Sequence, residues 1–208
     1  MITLAIDTST SVGSVALLAD GVLAFDEQFS ADRSHSATLF VALGKARALA
    51  PRIDRIAVGL GPGSYAGVRI AIAAALGLEL SSGAQLVGLP SVAALQVPEE
   101  DYLAIGDARR DTFYFTHVEQ GACIAGPLLA SADELSGRLG ALPDLPVYAT
   151  EPVPGFPGAQ LALPSAAILA RLAAEGRGIV AEKDLEPIYL REPHITQPKS
   201  RPGIPPRP

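Results

Sequence analysis

The sequence has a single cysteine and only 18% charged residues. One cysteine, Cys123, excludes an internal disulfide and a cysteine-based zinc site, and its apolar neighbours predict a buried, unreactive thiol. The first ten residues have no basic stretch and reach an aspartate at position 7, so we expect no signal peptide. A reducing, cytoplasmic location is the natural expectation.

Long uncharged segments and an excess of basic residues are also missing. The longest apolar segment with a helical pattern, 66–80, contains Arg69 and is too short to span a bilayer, so we expect no membrane association. The formal net charge is −6 and the pI is about 5.0. Because nucleic-acid affinity comes mostly from lysine and arginine, any RNA binding should need a partner.

What the chain does have is 49% hydrophobic residues over 208 positions, enough for a sizeable core. Apolar runs predict strands at 2–7, 13–18, 22–28, 55–60, 86–89, 146–149 and 185–190. Helical patterns cover 36–49, 66–80, 132–140 and 165–175, and a short helix begins at Pro90-Ser91. Asp20-Gly21 between two apolar runs predicts a hairpin turn.

The pattern restarts near the middle of the chain. Leu103-Ala104-Ile105 before Asp107 repeats Leu4-Ala5-Ile6 before Asp7, and the same order of strands, glycine turn and helix follows each. We therefore expect two halves of related β-β-β-α architecture.

The segment 58–71, VGLGPGSYAGVRIA, runs from an apolar strand through three glycines into a helix. Such a loop can approach a ligand closely, and a helix N-terminus attracts anions. The lysine of an ATP-binding P-loop and the acidic residue of a dinucleotide fold are both missing. A phosphate loop and a closely packed strand-to-helix connection both remain open.

Two acidic loops allow similar alternatives. Asp7, Thr8 and Ser9 either position magnesium and phosphate or form an Asx or Ser/Thr turn that caps the hairpin. Asp107, Arg109 and Arg110 either hold a nucleotide or form an ion pair across a cleft.

Five segments carry a resemblance to a known family: LAIDTST, HSATL, GPGSYAGVRIA, GDARRDTFY and EPIYLR. In order and spacing they resemble the bacterial TsaB family, formerly called YeaZ, over nearly the whole chain up to about Arg191. The resemblance implies an α/β actin-like ATPase fold, related to ribonuclease H, with two lobes that each contain a mixed β-sheet flanked by helices. We expect lobes at 1–100 and 101–192 and a mobile, proline-rich tail at 193–208.

The family makes N6-threonylcarbamoyladenosine beside the anticodon of tRNAs that read ANN codons. The resemblance implies a non-catalytic subunit that pairs with its catalytic paralogue TsaD and with the ATPase TsaE, contacts tRNA only through the complex, and is able to form homodimers when alone. No cofactor is expected on the isolated chain, whereas the assembled complex uses ATP and magnesium. TsaD-like proteins hold a metal with H-x-x-x-H, but here His35 is followed at the fourth position by Leu39, so no metal or catalytic residue is expected.

The helices at 36–49 and 66–80 are apolar on more than one side, which favours a partner surface in addition to a core face. The expected interface residues are Leu39, Leu43, Arg69, Ile70, Ala73 and Leu76. The expected vestigial nucleotide or phosphate loops consist of Asp7, Thr8, Ser9, Gly61, Gly63, Ser64, Asp107 and Arg109. The alternatives are an independent ATP-dependent phosphotransferase of the same fold, which would need a working magnesium site at Asp7, and a homodimeric scaffold.

Overall fold

The computed structural model describes residues 1–30, 35–50, 52–181 and 185–190, without the side chains of His35 and Ser36. The strands are β1 (Ile2–Asp7), β2 (Val12–Ala19), β3 (Val22–Ser30), β4 (Arg55–Gly59), β5 (Gln85–Leu89), β6 (Asp101–Asp107), β7 (Phe113–Glu119), β8 (Ala122–Ala130), β9 (Val147–Ala149), β10 (Gln160–Leu161) and β11 (Ile179–Val180). The helices are α1 (His35–Leu49), α2 (Tyr65–Ser82), α3 (Ala132–Gly140) and α4 (Ala166–Ala174). The short helix predicted near residue 90 is a 3-10 helix, Ser91–Ala94.

Two mixed sheets form, as the family resemblance implies. The first has the order β11-β5-β4-β1-β2-β3, and the second has the order β10-β9-β6-β7-β8. In the first sheet β1 pairs antiparallel with β2 and parallel with β4. In the second sheet β6 pairs antiparallel with β7 and parallel with β9.

The predicted repeat is confirmed by this topology, because β4-β1-β2-β3 and β9-β6-β7-β8 have the same order and directions. The turns agree as well. Asp20 and Gly21 have φ of 49° and 82°, and their counterparts Gln120 and Gly121 have φ of 49° and 74°. Positive φ at both central residues is the conformation that matches the twist of a two-residue hairpin.

The central strands of the first sheet, β1, β2 and β4, are buried on both faces, and alternate residues enter different cores. Large side chains such as Leu4 and Ile6 face a cluster that includes residues of α1 and α2. Small side chains, Ala5, Ala16 and Ala57, face the other cluster, which α4 covers with its own alanines. The size of the side chains on each face therefore decides how closely a helix approaches the sheet.

The lobe boundary differs from the prediction at the end of the chain. The range 101–192 is not one lobe, because α4 packs on β1, β2 and β4, and β11 pairs antiparallel with β5 of the first sheet. α4 presents buried alanines to a sheet face that is itself lined by alanines. The sequence of either segment alone does not predict that these two surfaces pack together.

The predicted strand at 185–190 is also wrong. The segment belongs to no sheet, although the Ile188 amide donates to the Leu60 carbonyl over 2.8 Å and Leu185 is buried in the first core. The tail predicted at 193–208 lies outside the described residues.

Helix α2 is longer than the predicted 66–80. At 18 residues it is, among the described helices, the one long and apolar enough to cross a membrane by length and composition, a test that core helices also pass. One side of it, including Val68, Ala71 and Ile72, is buried against the first sheet. The helix therefore has a core face, and its other side requires a separate explanation.

Replacing Gly67 with alanine should destabilise the protein by about 3 kcal/mol, because the added Cβ would lie 1.9 Å from the carbonyl oxygen of Thr8. Gly77 of the same helix has nothing within 4 Å of an added Cβ, so Gly77→Ala should stabilise the isolated chain by about 0.5–1 kcal/mol. Urea unfolding of both variants checks this, and equal midpoints would contradict it.

Candidate functional site

The loop after β1 lies directly against the loop after β4. The Ser64 amide donates to the Ser9 carbonyl over 2.6 Å, and the Thr8 hydroxyl donates to the Gly67 carbonyl over 2.7 Å. A Cβ on Gly63 would lie 2.2 Å from the Ser9 carbonyl oxygen, so only glycine fits there. The glycines therefore permit backbone contact between the two loops, as in the close-packing interpretation.

The protein itself uses several of the amides in the glycine loop. The Ser64 hydroxyl caps α2 by accepting from the Gly67 amide over 3.2 Å, and the Gly61 amide donates to the Ser91 hydroxyl over 3.0 Å. Gly61 has φ of 88°, which glycine adopts without strain. Three backbone amides of this loop are thus already bonded within the protein. The loop therefore has fewer free N–H groups to donate to a phosphate than its resemblance to a phosphate loop suggests.

Asp7 forms the Asx turn that was one of its two predicted roles. Its Oδ1 accepts from the Ser9 amide over 2.8 Å and from the Ser9 hydroxyl over 2.7 Å. Its side chain is enclosed, since the residue is 1% exposed and a Cβ on Gly59 would lie 1.9 Å from Oδ2. The carboxyl group is thus sealed behind the loop.

The electrostatics of Asp7 follow from this enclosure. Burial raises the pKa of Asp7, and the Ser91 hydroxyl and the two Ser9 groups offset only part of that rise. The Ser91 hydroxyl favours the charged form of the Asp7 carboxyl group. Its position relative to Asp7 Oδ2 nevertheless does not satisfy hydrogen-bond geometry. Magnesium prefers charged, hydrated carboxylates, so Asp7 is poorly suited to hold it.

The Asp107 loop also bonds to itself. Asp107 accepts from the Arg109 amide over 2.7 Å and pairs with the Arg109 guanidinium over 3.0 Å. The predicted ion pair therefore exists, but it lies within one loop and does not cross the cleft. Arg109, Arg110 and Asp111 all have positive φ, between 56° and 67°, which is costly for non-glycine residues.

A cleft of about 670 Å³ separates these loops. Five of the predicted site residues line it, namely Ser9, Gly63, Ser64, Asp107 and Arg109, whereas Asp7, Thr8 and Gly61 lie outside its lining. The sequence reasoning missed Tyr65 and Tyr189, whose rings lie 5.6 Å apart at the cleft. Their signal was present in two of the family segments, YAGVRIA and EPIYLR, but nothing in the sequence indicated that the two tyrosines meet.

A second surface lies between α1 and α2. It is an apolar groove of about 390 Å³, here called the helix groove, and is lined by Phe40, Ile70, Ala73, Ala74, Gly77 and Leu78. Phe40 is 58% exposed. Ile70 is half-buried and Ala73 is exposed, so two of the predicted interface residues lie here.

The predicted interface is wrong at Leu39 and Leu43. They are 0% and 5% exposed and belong to the first core, so they are unavailable to a partner. α1 is apolar on more than one side, and the sequence did not show which side meets the sheet. Leu76 is half-buried against the same core, and Arg69 is exposed with its guanidinium 5.1 Å from the centre of the Tyr65 ring.

The part of the chain that is described offers little support for a metal site or a reactive thiol. No group of three or more histidine, cysteine, aspartate or glutamate side chains there could hold a metal ion. His117 bonds to Asp101 over 2.8 Å in the second sheet. Cys123 is half-buried and not fully buried as predicted, and the burial of its thiol raises the pKa to about 11.

Comparison with known proteins identifies the family. A family model described as "TsaD: tRNA N6-adenosine threonylcarbamoyltransferase" matches residues 30–140, more than half of the chain. The chain belongs to this family. Within it, the chain is a TsaB (YeaZ) relative. YeaZ of Pseudomonas aeruginosa superposes with a TM-score of 0.65 at 26% identity, covering 91% of this chain and 99% of that one.

Two further relatives agree. A P. aeruginosa structure described as similar to peptidase YeaZ has a TM-score of 0.70 at 27% identity, with coverage of 91% and 99%. The tRNA threonylcarbamoyladenosine biosynthesis protein TsaB of Haemophilus influenzae is 30% identical over 125 residues, 55% of this chain and 52% of that protein. An uncharacterised protein of Mycobacterium leprae is 32% identical over 148 residues, 64% of this chain and 40% of that protein. The chain thus spans about half or less of the length of these two curated relatives.

The environment of Asp7 predicts a pH-dependent effect of Asp7→Asn. An acid whose pKa is raised by folding contributes most at pH values below its unfolded pKa, and that contribution is lost as the pH rises through the folded pKa. Asparagine can still accept the Ser9 bonds but cannot ionise. Relative to the parent protein, Asp7→Asn should therefore gain stability between pH 4.5 and pH 8, as measured by urea unfolding. Asp7→Ala, which loses the Ser9 bonds, should be less stable at both pH values. A difference between Asp7→Asn and the parent that does not change with pH would refute the assignment.

Proposed function

We propose that this protein is a non-catalytic subunit of the complex that transfers a threonylcarbamoyl group to N6 of the adenosine beside the anticodon in tRNAs reading ANN codons. Its direct partner is TsaD, and TsaE joins the pair. The helix groove is the observation that carries the proposal, because it leaves an apolar surface uncovered on a chain of the TsaD family. The name of the H. influenzae relative supports the same process.

The chemistry of the groove suits a helical partner. Ala73 and Gly77 are exposed and small, so the backbone of an approaching helix can come close, and Phe40 supplies an apolar edge. Apolar area removed from water contributes about 25 cal/mol per Å² before the costs of association. A stable interface buries about 1,600 Å² in total, so the neighbouring surface of both helices should take part.

TsaD is preferred as the partner over a second copy of this chain. TsaD and this chain are different members of one family. A paralogue can offer a matching pair of helices to the groove, in an arrangement like that of a twofold dimer. Homodimerisation through the same groove is then the state of the protein when TsaD is missing.

The non-catalytic assignment is supported by the way the first loop is closed. Asp7 is sealed and favours its neutral form, and the Ser9 and Ser64 groups beside it bond to one another. Leu39, at the position of the second metal-binding histidine in TsaD-like proteins, is buried in the core. In this proposal ATP and magnesium are used by TsaD and TsaE, and the complex acts in the cytoplasm, where tRNA is modified.

An ATP-dependent phosphotransferase is the second candidate, because a cleft of about 670 Å³ is large enough for a nucleotide. It would require Asp7 to leave its enclosure and ionise. Nothing in the loop contacts favours that movement, so this function ranks below the first.

A charge in the helix groove should prevent heterodimer formation. Ala73→Glu places a carboxylate at an exposed position, so the isolated chain should remain folded, whereas in the complex that charge would be buried without a partner. We expect a loss of about 3 kcal/mol or more, which is over 100-fold in Kd. Size-exclusion chromatography with TsaD measures this. Ala132→Glu, the same change at the start of α3 in the other lobe, is the control and should co-elute normally. Co-elution of Ala73→Glu with TsaD would disprove the interface.

Reconstitution tests the function itself. Purified TsaD, TsaE, ATP and tRNA, supplied with an activated threonylcarbamoyl donor, should form threonylcarbamoyladenosine only when this protein is added, and the protein alone should not hydrolyse ATP. Asp7→Asn should support the reaction as well as the parent does, because the carboxylate has no chemical role. ATP hydrolysis by the isolated chain that Asp7→Asn abolishes, with no effect on tRNA modification, would establish the phosphotransferase instead.

A further inference from the structure

We propose that the cleft of about 670 Å³ is a binding site for a planar organic cation of the guanidinium or amidinium class. The cation stacks on Tyr65 and Tyr189 and bonds to the Glu151 carboxylate, and all three side chains line the cleft. The site requires neither tRNA nor TsaD. The inference therefore goes beyond the proposed function and can be tested on the isolated chain.

The first observation is an exposed aromatic pair at the cleft. Tyr65 and Tyr189 are 50% and 42% exposed, with ring centres 5.6 Å apart and planes tilted by 35°. The protein itself places one planar cation on this pair, since the Arg69 guanidinium carbon lies 5.1 Å from the centre of the Tyr65 ring. The negative face of an aromatic ring attracts cations, and a guanidinium can also stack on it. Tyr189, which no cation of the described residues covers, offers a second ring of the same kind.

The second observation is a carboxylate in the cleft that has no cation beside it. Glu151 follows β9 and is exposed, and within the described part of the chain it forms no ion pair. Asp107 of the same cleft is already paired with Arg109 over 3.0 Å. The charge of Glu151 reaches the cleft wall, because burial raises the pKa of Tyr114 to about 12 and Glu151 adds to that rise. The lining thus contains two carboxylates and one guanidinium.

The groups that would hold an anion in the cleft are already in use. The N-terminus of α2 borders the cleft, but the Gly67 amide donates to the Ser64 hydroxyl over 3.2 Å and the Val68 amide donates to the Ser64 carbonyl over 3.0 Å. The Ser64 amide donates to the Ser9 carbonyl over 2.6 Å. The chain also has a formal net charge of −6. The cleft is therefore better suited to a cation than to a di- or triphosphate.

The test uses two probes of the same shape and different charge, benzylguanidinium and benzylurea. Isothermal titration of the isolated chain at low salt should show about tenfold tighter binding of benzylguanidinium, since an ionised donor bonds more strongly to a carboxylate. Glu151→Gln removes the charge, keeps the shape and should abolish this preference. Glu119→Gln, at an exposed acid outside the cleft lining, is the control and should leave the preference unchanged.

The aromatic contribution is tested separately. Tyr189→Ala should weaken benzylguanidinium binding by about 2- to 30-fold, the range expected for the loss of one cation–π contact. Tyr189→Phe keeps the ring and should bind as the parent does. Glu151 and Tyr189 are both exposed, so these variants should remain folded, as measured by thermal unfolding.

Equal binding of the two probes, or benzylguanidinium binding that Glu151→Gln leaves unchanged, would overturn the inference. ATP that binds more tightly than benzylguanidinium and displaces it would also overturn it, because the cleft would then be an anion site.

The cation can come from a free small molecule or from an arginine side chain of a bound protein, and saturating TsaD distinguishes these sources. Displacement of benzylguanidinium by TsaD assigns the natural cation to a TsaD side chain, whereas retained binding assigns it to a small molecule. Failure of TsaD to co-elute would count against the proposed function alone, because the titrations of the isolated chain do not depend on TsaD.

Discussion

The contact between the loop after β1 and the first turn of α2 determines the position of both candidate surfaces. Glycine at positions 63 and 67 allows the Ser9 and Thr8 carbonyl groups to approach the helix backbone, and two hydrogen bonds hold the loops together. Because α2 is held here at its N-terminus, its core face meets the first sheet and its opposite side is presented outward. The closed loop and the open groove are thus two results of one packing arrangement.

That arrangement has a chemical cost and a structural benefit. The space that a phosphate would need beside Asp7 is filled by Ser9, and the carboxyl group is left in surroundings that favour its neutral form. In return the first turn of α2 gains a serine cap and a backbone anchor, which keep a long apolar helix in one orientation. In the proposed role of a subunit that presents a binding surface, that orientation would matter more than a phosphate site.

Much of the fold could be predicted because its signals are local. The Asp20-Gly21 turn, the repeat of Leu4-Ala5-Ile6 and the glycine loop each depend on a few neighbouring residues. The groove was predicted only in part, because α1 is apolar on several sides. Leu39 and Leu43, expected at the interface, pack in the core instead. The position of α4 and the meeting of Tyr65 with Tyr189 depend on contacts between distant segments, which a single sequence does not reveal.

The crossing of the chain between the lobes also affects how the protein can move. The chain passes from the first lobe to the second after Leu95, returns at Ser165 into α4, and crosses again near Ile188, where it bonds to Leu60. Enzymes that close over a substrate swing their lobes about a hinge. Here such a swing would strain three connections at once. We therefore expect limited movement of the lobes, so that a partner would meet a surface that needs little reorganisation before binding.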